Sequence, residues 1–340
     1  SEVWYVGAPV SNYALNGYPA FTRTWSKRKP MLYVGGNDGM LHGFTAEDGT
    51  ERIAYVPRGV IRDLSKLTNP SFNNNHQYFV DGSPMTGDVF DSAWKTLLIG
   101  TLGAGGRGYF ILDVTNPGKT DSTSSSNFTE TNANSLVVMD KTQPPSTTTV
   151  GNDDVDDLGH IFAKPVMDDA NLQRTTQIVR MNNNRWAAVM GNGYNSANGR
   201  AVLLIQYLDG AKELLRIPTL TTDTNNGLSA PRLVDISGDG RPDVVYAGDL
   251  KGNLWKFLIN TEDPSQWGLA MWEGKAAGTP LFTANRGTGH SANTNSSTRQ
   301  SITAVPSVRV NDRTKKITDG DLEKTVFVGG MMVAFGTGRN

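Results

Sequence analysis

The stretch of this sequence best equipped for chemistry is Asp235-Ile-Ser-Gly-Asp-Gly-Arg-Pro-Asp243. It sets oxygen-bearing side chains at positions 1, 3, 5 and 9 of a short loop, with Gly240 at position 6. Hard cations such as Ca2+ take roughly six to eight oxygen ligands, and a loop with alternating inward residues delivers them on one concave side. Glycine at position 6 permits the sharp turn that aims the next carbonyl, that of Arg241, at the ion. The candidate ligands are the side chains of Asp235, Ser237, Asp239 and Asp243 and the carbonyl of Arg241. Position 12 is Tyr246 where a helical EF-hand has a bidentate Glu, and the flanks 231–234 and 244–246 read as strands. The expected form is therefore an EF-hand-like loop carried between strands. Ser237 in place of a carboxylate leaves three negative ligands, which implies modest affinity, and Mg2+ fits less well because it demands a stricter octahedron and keeps its waters. The plainer alternative is an Asp/Gly-rich hairpin turn without metal.

Other chemistry has less support. The chain has no Cys, which excludes a disulfide scaffold, a thiolate zinc site and a thiol nucleophile together. His42, His76, His160 and His290 are scattered, with no HExxH or HxxxH pair. Gly103-Ala-Gly-Gly-Arg-Gly108 matches a dinucleotide string, but a strand follows it where a helix N-terminus is required, so it reads as a turn. No GxSxG elbow occurs, and no carboxylate pair can be assigned to acid–base work. The acidic run 153–157 reads as a solvated loop. The seven Trp read as packing residues, with a carbohydrate platform as the minor alternative.

The elements that must position the loop are short strands. Met31 to Phe44 reads as strand, Asn37-Asp38-Gly39 turn, strand. The design returns at 96–100 with 108–112, at 186–190 with 201–205, and at 244–257, and a fifth copy begins at 325–330. Helical periodicity is confined to Ile61–Leu67. Irregular repeats of an aromatic-ending hairpin point to an all-β fold of propeller blades, with a β-sandwich as the rival. The 340 residues with 37 Gly suit one such unit. Residues 118–135 and 285–303, rich in Ser, Thr, Asn and Gly, are expected to be mobile loops between blades. The formal charge of −1, from 32 basic and 33 acidic residues, lacks the basic footprint of a nucleic-acid binder. No apolar run approaches the roughly 20 residues of a transmembrane helix. No signal peptide is read, so the expectation is a cytosolic protein or an excised piece of an exported one.

Several strings together carry a resemblance. Leu32–Phe44, Tyr78–Pro84, Gly103–Gly108, Leu112–Pro117, Leu158–Pro165, Gly227–Pro231, the Asp235 loop, Ala247–Phe257 and Phe335–Arg339 follow one another as in the PilY/PilC family of type IV pilus biogenesis and tip-adhesion proteins, which the chain resembles along nearly its whole length. The resemblance implies a modified β-propeller with quinoprotein-like blades and long inserted loops. It also implies export to the pilus tip, cell surface or outer membrane of a Gram-negative bacterium, without enzymatic activity. The family's calcium loop maps onto Asp235, Ser237, Asp239, Arg241 and Asp243, where it regulates pilus extension against retraction, with roles in adhesion and twitching motility. Pilus subunits or minor pilins are the implied partners, and a host surface could be reached through an N-terminal region absent here. No Arg-Gly-Asp tripeptide occurs, so integrin binding is not carried over. The family domain normally continues past the Phe335 motif, which implies a single propeller domain over 1–340, truncated or lacking segments. Quinoprotein dehydrogenases share the Gly-Gly-Asn-Asp-Gly hairpins, yet commonly place a vicinal cysteine pair beneath the cofactor, and this chain has none. A carbohydrate-binding propeller is a third reading.

Overall fold

Period-2 alternation becomes a series of antiparallel sheets met one after another along the chain. The computed structural model describes residues 1–15, 17–121, 125–145, 153–220, 222, 224–271, 274–285, 299–319 and 322–338. The first sheet pairs β1 (Trp4–Val6), β2 (Met31–Gly35), β3 (Leu41–Thr45) and β4 (Glu51–Tyr55) in that order. The second pairs β5 (Met85–Asp91), β6 (Ala93–Thr101), β7 (Tyr109–Asp113) and β8 (Val137–Asp140). A two-stranded ribbon of β9 (Met167–Asp168) and β10 (Asn171–Thr175) leads to the third sheet. That sheet holds β11 (Ile178–Arg180), β12 (Trp186–Gly191), β13 (Val202–Tyr207) and β14 (Leu214–Pro218). The fourth orders β15 (Arg232–Val234), β16 (Val244–Gly248), β17 (Asn253–Leu258) and β18 (Gly268–Leu269), and β19 (Phe282–Thr283) pairs the other end of β17.

Each inner sheet is buried on both faces, which explains why its strands read as continuous apolar runs. In β12 and β13, Trp186, Ala188, Met190, Val202 and Leu204 join the core shared with the first and second sheets. Their alternate neighbours Ala187, Val189, Leu203 and Ile205 pack instead with Val245, Ala247, Trp255 and Phe257 of the fourth sheet. A one-residue slip would exchange the two sets, so burial on both sides fixes the register. Glycine recurs where the second strand of a sheet ends. A Cβ on Gly35, Gly191 or Gly248 would stand 2.2, 2.0 or 2.5 Å from the carbonyl oxygens of Val80, Ser229 and Ile302, respectively. The segment leading into the next sheet lies in the space a side chain would need.

Three expectations change. The fifth hairpin does not start as the sequence suggested: β22 (Leu322–Phe327) pairs with β21 (Thr314–Asp319). This hairpin is inserted in the connection between β20 (Ser307–Val310) and β23 (Met331–Ala334), which pair with each other. Phe327 is exposed there, so its aromatic ring marks no blade core. Ile61–Leu67 lies in a 3-10 helix, Arg58–Thr68, and not in an α-helix. The acidic run is not a solvated loop throughout, because Asp157 is fully buried and paired with Arg200 at 2.8 Å and Arg216 at 3.4 Å. Of the two inserted loops, 122–124 and 286–298 lie outside the described residues. In the first, Phe128 is buried and the backbone at Lys119 pairs with that at Arg28 in an isolated β-bridge. Among the described residues no helix is long and apolar enough to cross a membrane.

Candidate metal centre

The nine-residue loop joins β15 to β16, two strands already in register through Val234 opposite Val244. The Asp243 N–H donates to the Val234 carbonyl at 2.9 Å, and the Asp243 carbonyl accepts from Ile259 at 2.9 Å, so the last loop residue is pinned to the sheet. From that anchor the loop curls over its own carboxylates. Asp235 Oδ1 accepts from the Gly238 N–H at 2.7 Å and the Ser237 hydroxyl at 3.2 Å, while Oδ2 accepts from the Gly240 N–H at 2.7 Å. Asp243 Oδ2 accepts from the N–H groups of Ile236 and Ser237 at 2.7 and 2.8 Å. Among the described residues, Asp243 Oδ1 has no hydrogen-bond partner. The curl needs left-handed backbone at Gly240 (φ +83°), where a side chain would be strained even though the surrounding space is open.

Asp239 is engaged differently. Its Oδ1 accepts from the Arg241 N–H at 2.9 Å, and its Oδ2 is gripped by Arg241 Nε at 2.9 Å and Nη2 at 2.6 Å. Arg241 Nη1 reaches on to Asn184 Oδ1, 3.1 Å away in the turn between β11 and β12. The fork holds the Asp239 carboxyl below its ordinary pKa and raises that of the guanidinium.

All five residues expected as ligands therefore lie in one surface loop, exposed at Asp235, Ser237 and Asp239 and half-buried at Arg241 and Asp243, with Asp235 and Asp243 drawn onto its inner N–H groups. Asp239 is turned onto Arg241, and among the described residues no three His, Cys, Asp or Glu side chains converge as a ready-made metal set. The donors nonetheless suit a hard cation: three carboxylates, a hydroxyl and a carbonyl, on a turn whose N–H groups are already occupied by carboxylate oxygens. Sequence reasoning used Arg241 only for its carbonyl and missed its side chain and Asn184. The Asp239-x-Arg241 spacing was the available signal. The loop also borders a cleft of about 510 Å3 lined by Tyr13, Arg174, Arg180, Trp186, Leu233 and Arg241, among others.

Successive antiparallel sheets packed face to face, with an oxygen-rich loop between two strands of the fourth, define a repeat-built β domain of the propeller class. The family model described as the PilY1 beta-propeller domain matches residues 3–338, and the chain belongs to that family. It is 37% identical over 349 residues to the type IV pilus biogenesis factor PilY1 of Pseudomonas aeruginosa strain PAO1, covering 98% of this chain and 25% of that protein. A PilY1 homolog of Xylella fastidiosa strain Temecula1 is 37% identical over 300 residues, 84% of this chain and 18% of its own length. The chain thus spans a quarter or less of these two relatives. The crystal structure of the Pseudomonas aeruginosa PilY1 C-terminal domain superposes with a TM-score of 0.65 at 33% identity, covering 98% of this chain and 59% of that one.

Proposed function

We propose that this chain is the calcium-binding propeller of a non-enzymatic type IV pilus biogenesis factor, exported to the cell surface, outer membrane or pilus tip. There it regulates pilus extension against retraction, and with it twitching motility and adhesion. Pilus subunits or minor pilins are the partners. The observation that carries the metal assignment is the folding of the Asp235 carboxylate onto the Gly238 and Gly240 N–H groups, and of Asp243 onto those of Ile236 and Ser237, inside a turn pinned to the sheet. Bound Ca2+ would supply positive charge that neutralises clustered carboxylates. Asp235, Asp239 and Asp243 would hold it through side-chain oxygens, Ser237 through its hydroxyl and Arg241 through its carbonyl. The sheet supplies a rigid base, so ordering is confined to the loop and the surface it presents beside the cleft. A state with the loop ordered gains population by the differential affinity of the cation for it. Titration calorimetry tests the assignment. Ca2+ binding is expected for the wild-type domain and its loss in Asp235→Ala and Asp243→Ala, whose folds persist because the Asp235 side chain is exposed and the backbone bonds of half-buried Asp243 to Val234 and Ile259 remain. Equal affinity in all three proteins would refute it. In cells, Asp243→Ala at fixed expression is expected to alter pilus retraction and twitching, and normal motility would separate metal binding from function.

A further inference from the structure

The loop contains its own cation. A hard metal needs an oxygen of Asp239, yet Oδ2 accepts two N–H groups of the guanidinium fork, and Oδ1, which accepts the Arg241 backbone N–H, offers only its second lone pair beside that charge. Ca2+ sits about 2.3–2.6 Å from its oxygens, so it cannot share Oδ2 with two donors and an adjacent positive charge. Arginine cannot be deprotonated out of the way, so an ion that takes Oδ2, or that comes close to the guanidinium charge, requires it to move. It has somewhere to go: its side chain is partly exposed, and it lines the 510 Å3 cleft. Asp239 is the carboxylate of the loop that is turned onto the guanidinium.

Resting on the calcium reading of the loop, we infer that the Arg241 guanidinium is a built-in competitor for the metal, holding Asp239 until the cation displaces it. Arg241 then acts in two opposed senses. Its carbonyl serves the site and its side chain opposes occupation. Because Nη1 also holds Asn184, displacement cuts a tie between the loop of the fourth sheet and the β11–β12 turn of the third. Metal occupancy is thereby coupled to the rim of the cleft between them.

The test is calorimetric titration of the intact domain with CaCl2, using the wild type and the variants Arg241→Ala, Arg241→Lys, Arg180→Ala and Asp235→Ala. All four alter side chains only, so the Arg241 carbonyl remains in each. Losing an exposed bidentate pair and a nearby positive charge is expected to tighten binding about three- to tenfold in Arg241→Ala. Arg241→Lys should fall between it and the wild type, since lysine keeps the charge without the fork. Arg180→Ala removes a charge from the same cleft; its one weak contact there, at 3.5 Å, is to the Asn184 backbone carbonyl and not to Asp239 or the Asn184 side chain, so it should stay within about twofold of the wild type. A second readout is the Asn184 side-chain amide resonance, expected to shift on Ca2+ addition in the wild type and to be already shifted in Arg241→Ala. Wild-type binding that Asp235→Ala abolishes but Arg241→Ala leaves unchanged or weakens overturns the latch alone. Equal tightening in Arg180→Ala overturns it too, by reducing it to net charge. No binding to the wild type or to Arg241→Ala overturns both the latch and the calcium reading.

Discussion

Replacing Asp249 by Ala should be among the most damaging single changes in the fourth sheet. The carboxylate is fully buried and accepts four hydrogen bonds: from the Asn253 N–H at 2.8 Å, Asn253 Nδ2 at 3.0 Å, Asn226 Nδ2 at 3.0 Å and Trp255 Nε1 at 2.8 Å. One side chain thus fixes the turn between β16 and β17, the segment leading into the fourth sheet at Asn226, and the largest buried ring of the core it shares with the third. Each buried donor left without an acceptor costs about 1–3 kcal/mol, though water admitted to the vacated space recovers part of the sum. The expected loss is about 3–5 kcal/mol, against a total of about 5–15 kcal/mol for a typical domain. Asp249→Asn keeps one acceptor oxygen but turns an NH2 group toward other donors, and should lose about half as much. Asp239→Ala is the internal control. That carboxylate also accepts several hydrogen bonds, but it lies at the surface in an ion pair worth at most about 1 kcal/mol. Urea denaturation followed by Trp fluorescence and far-ultraviolet circular dichroism measures all three. A loss below about 1 kcal/mol in Asp249→Ala, or no difference between the two alanine variants, would show that this network does not hold the sheet together.

Gly248→Ala puts a methyl group 2.2 Å from Ile302 Cγ2 and 2.5 Å from the Ile302 carbonyl, and should cost about 1–3 kcal/mol by overpacking, read as a lowered thermal midpoint. His42 feels burial first, which lowers its pKa. Glu51 at 2.5 Å and Asp38 at 2.9 Å outweigh that and raise it above 6.5. Its contribution to stability is complete below the unfolded value and is lost as pH rises through the higher folded one; Glu51→Gln should flatten that part of the thermal-midpoint profile and lower the His42 value seen by NMR. For Asp157 burial again acts first, raising the pKa, but Arg200, Asn198 and Arg216 together hold it below 3.8. Its stabilisation is present above the unfolded pKa and fades as pH falls through the folded one. Arg200→Ala should cost about 3 kcal/mol at neutral pH and shift acid unfolding to higher pH.

The hairpins were legible because alternation and Asn/Asp/Gly turns specify them locally. The strands at 31–35 and 41–45, 186–191 and 202–207, and 244–248 and 253–258 fall where those signals place them. Thr325–Gly330 misled because a β-branched and aromatic run looks alike in a core hairpin and in an exposed one, and pairing with β21 depends on contacts no local window contains. The acidic run 153–157 misled for a related reason. Composition reports that Asp157 carries charge, but its two arginine partners stand 43 and 59 residues away. At the candidate metal loop, spacing located all five expected ligands in one turn. It could not foresee the direction of Asp239, which is decided by a guanidinium fork two residues on and by Asn184 in a neighbouring sheet.

The most direct test of the account is a crystal structure of this domain grown with millimolar CaCl2. The account predicts one density peak inside the loop, with oxygens of Asp235, Ser237, Asp239 and Asp243 and the Arg241 carbonyl at about 2.3–2.6 Å, and the Arg241 side chain withdrawn from Asp239. A loop without a bound ion, with Arg241 still closed on Asp239, would contradict it.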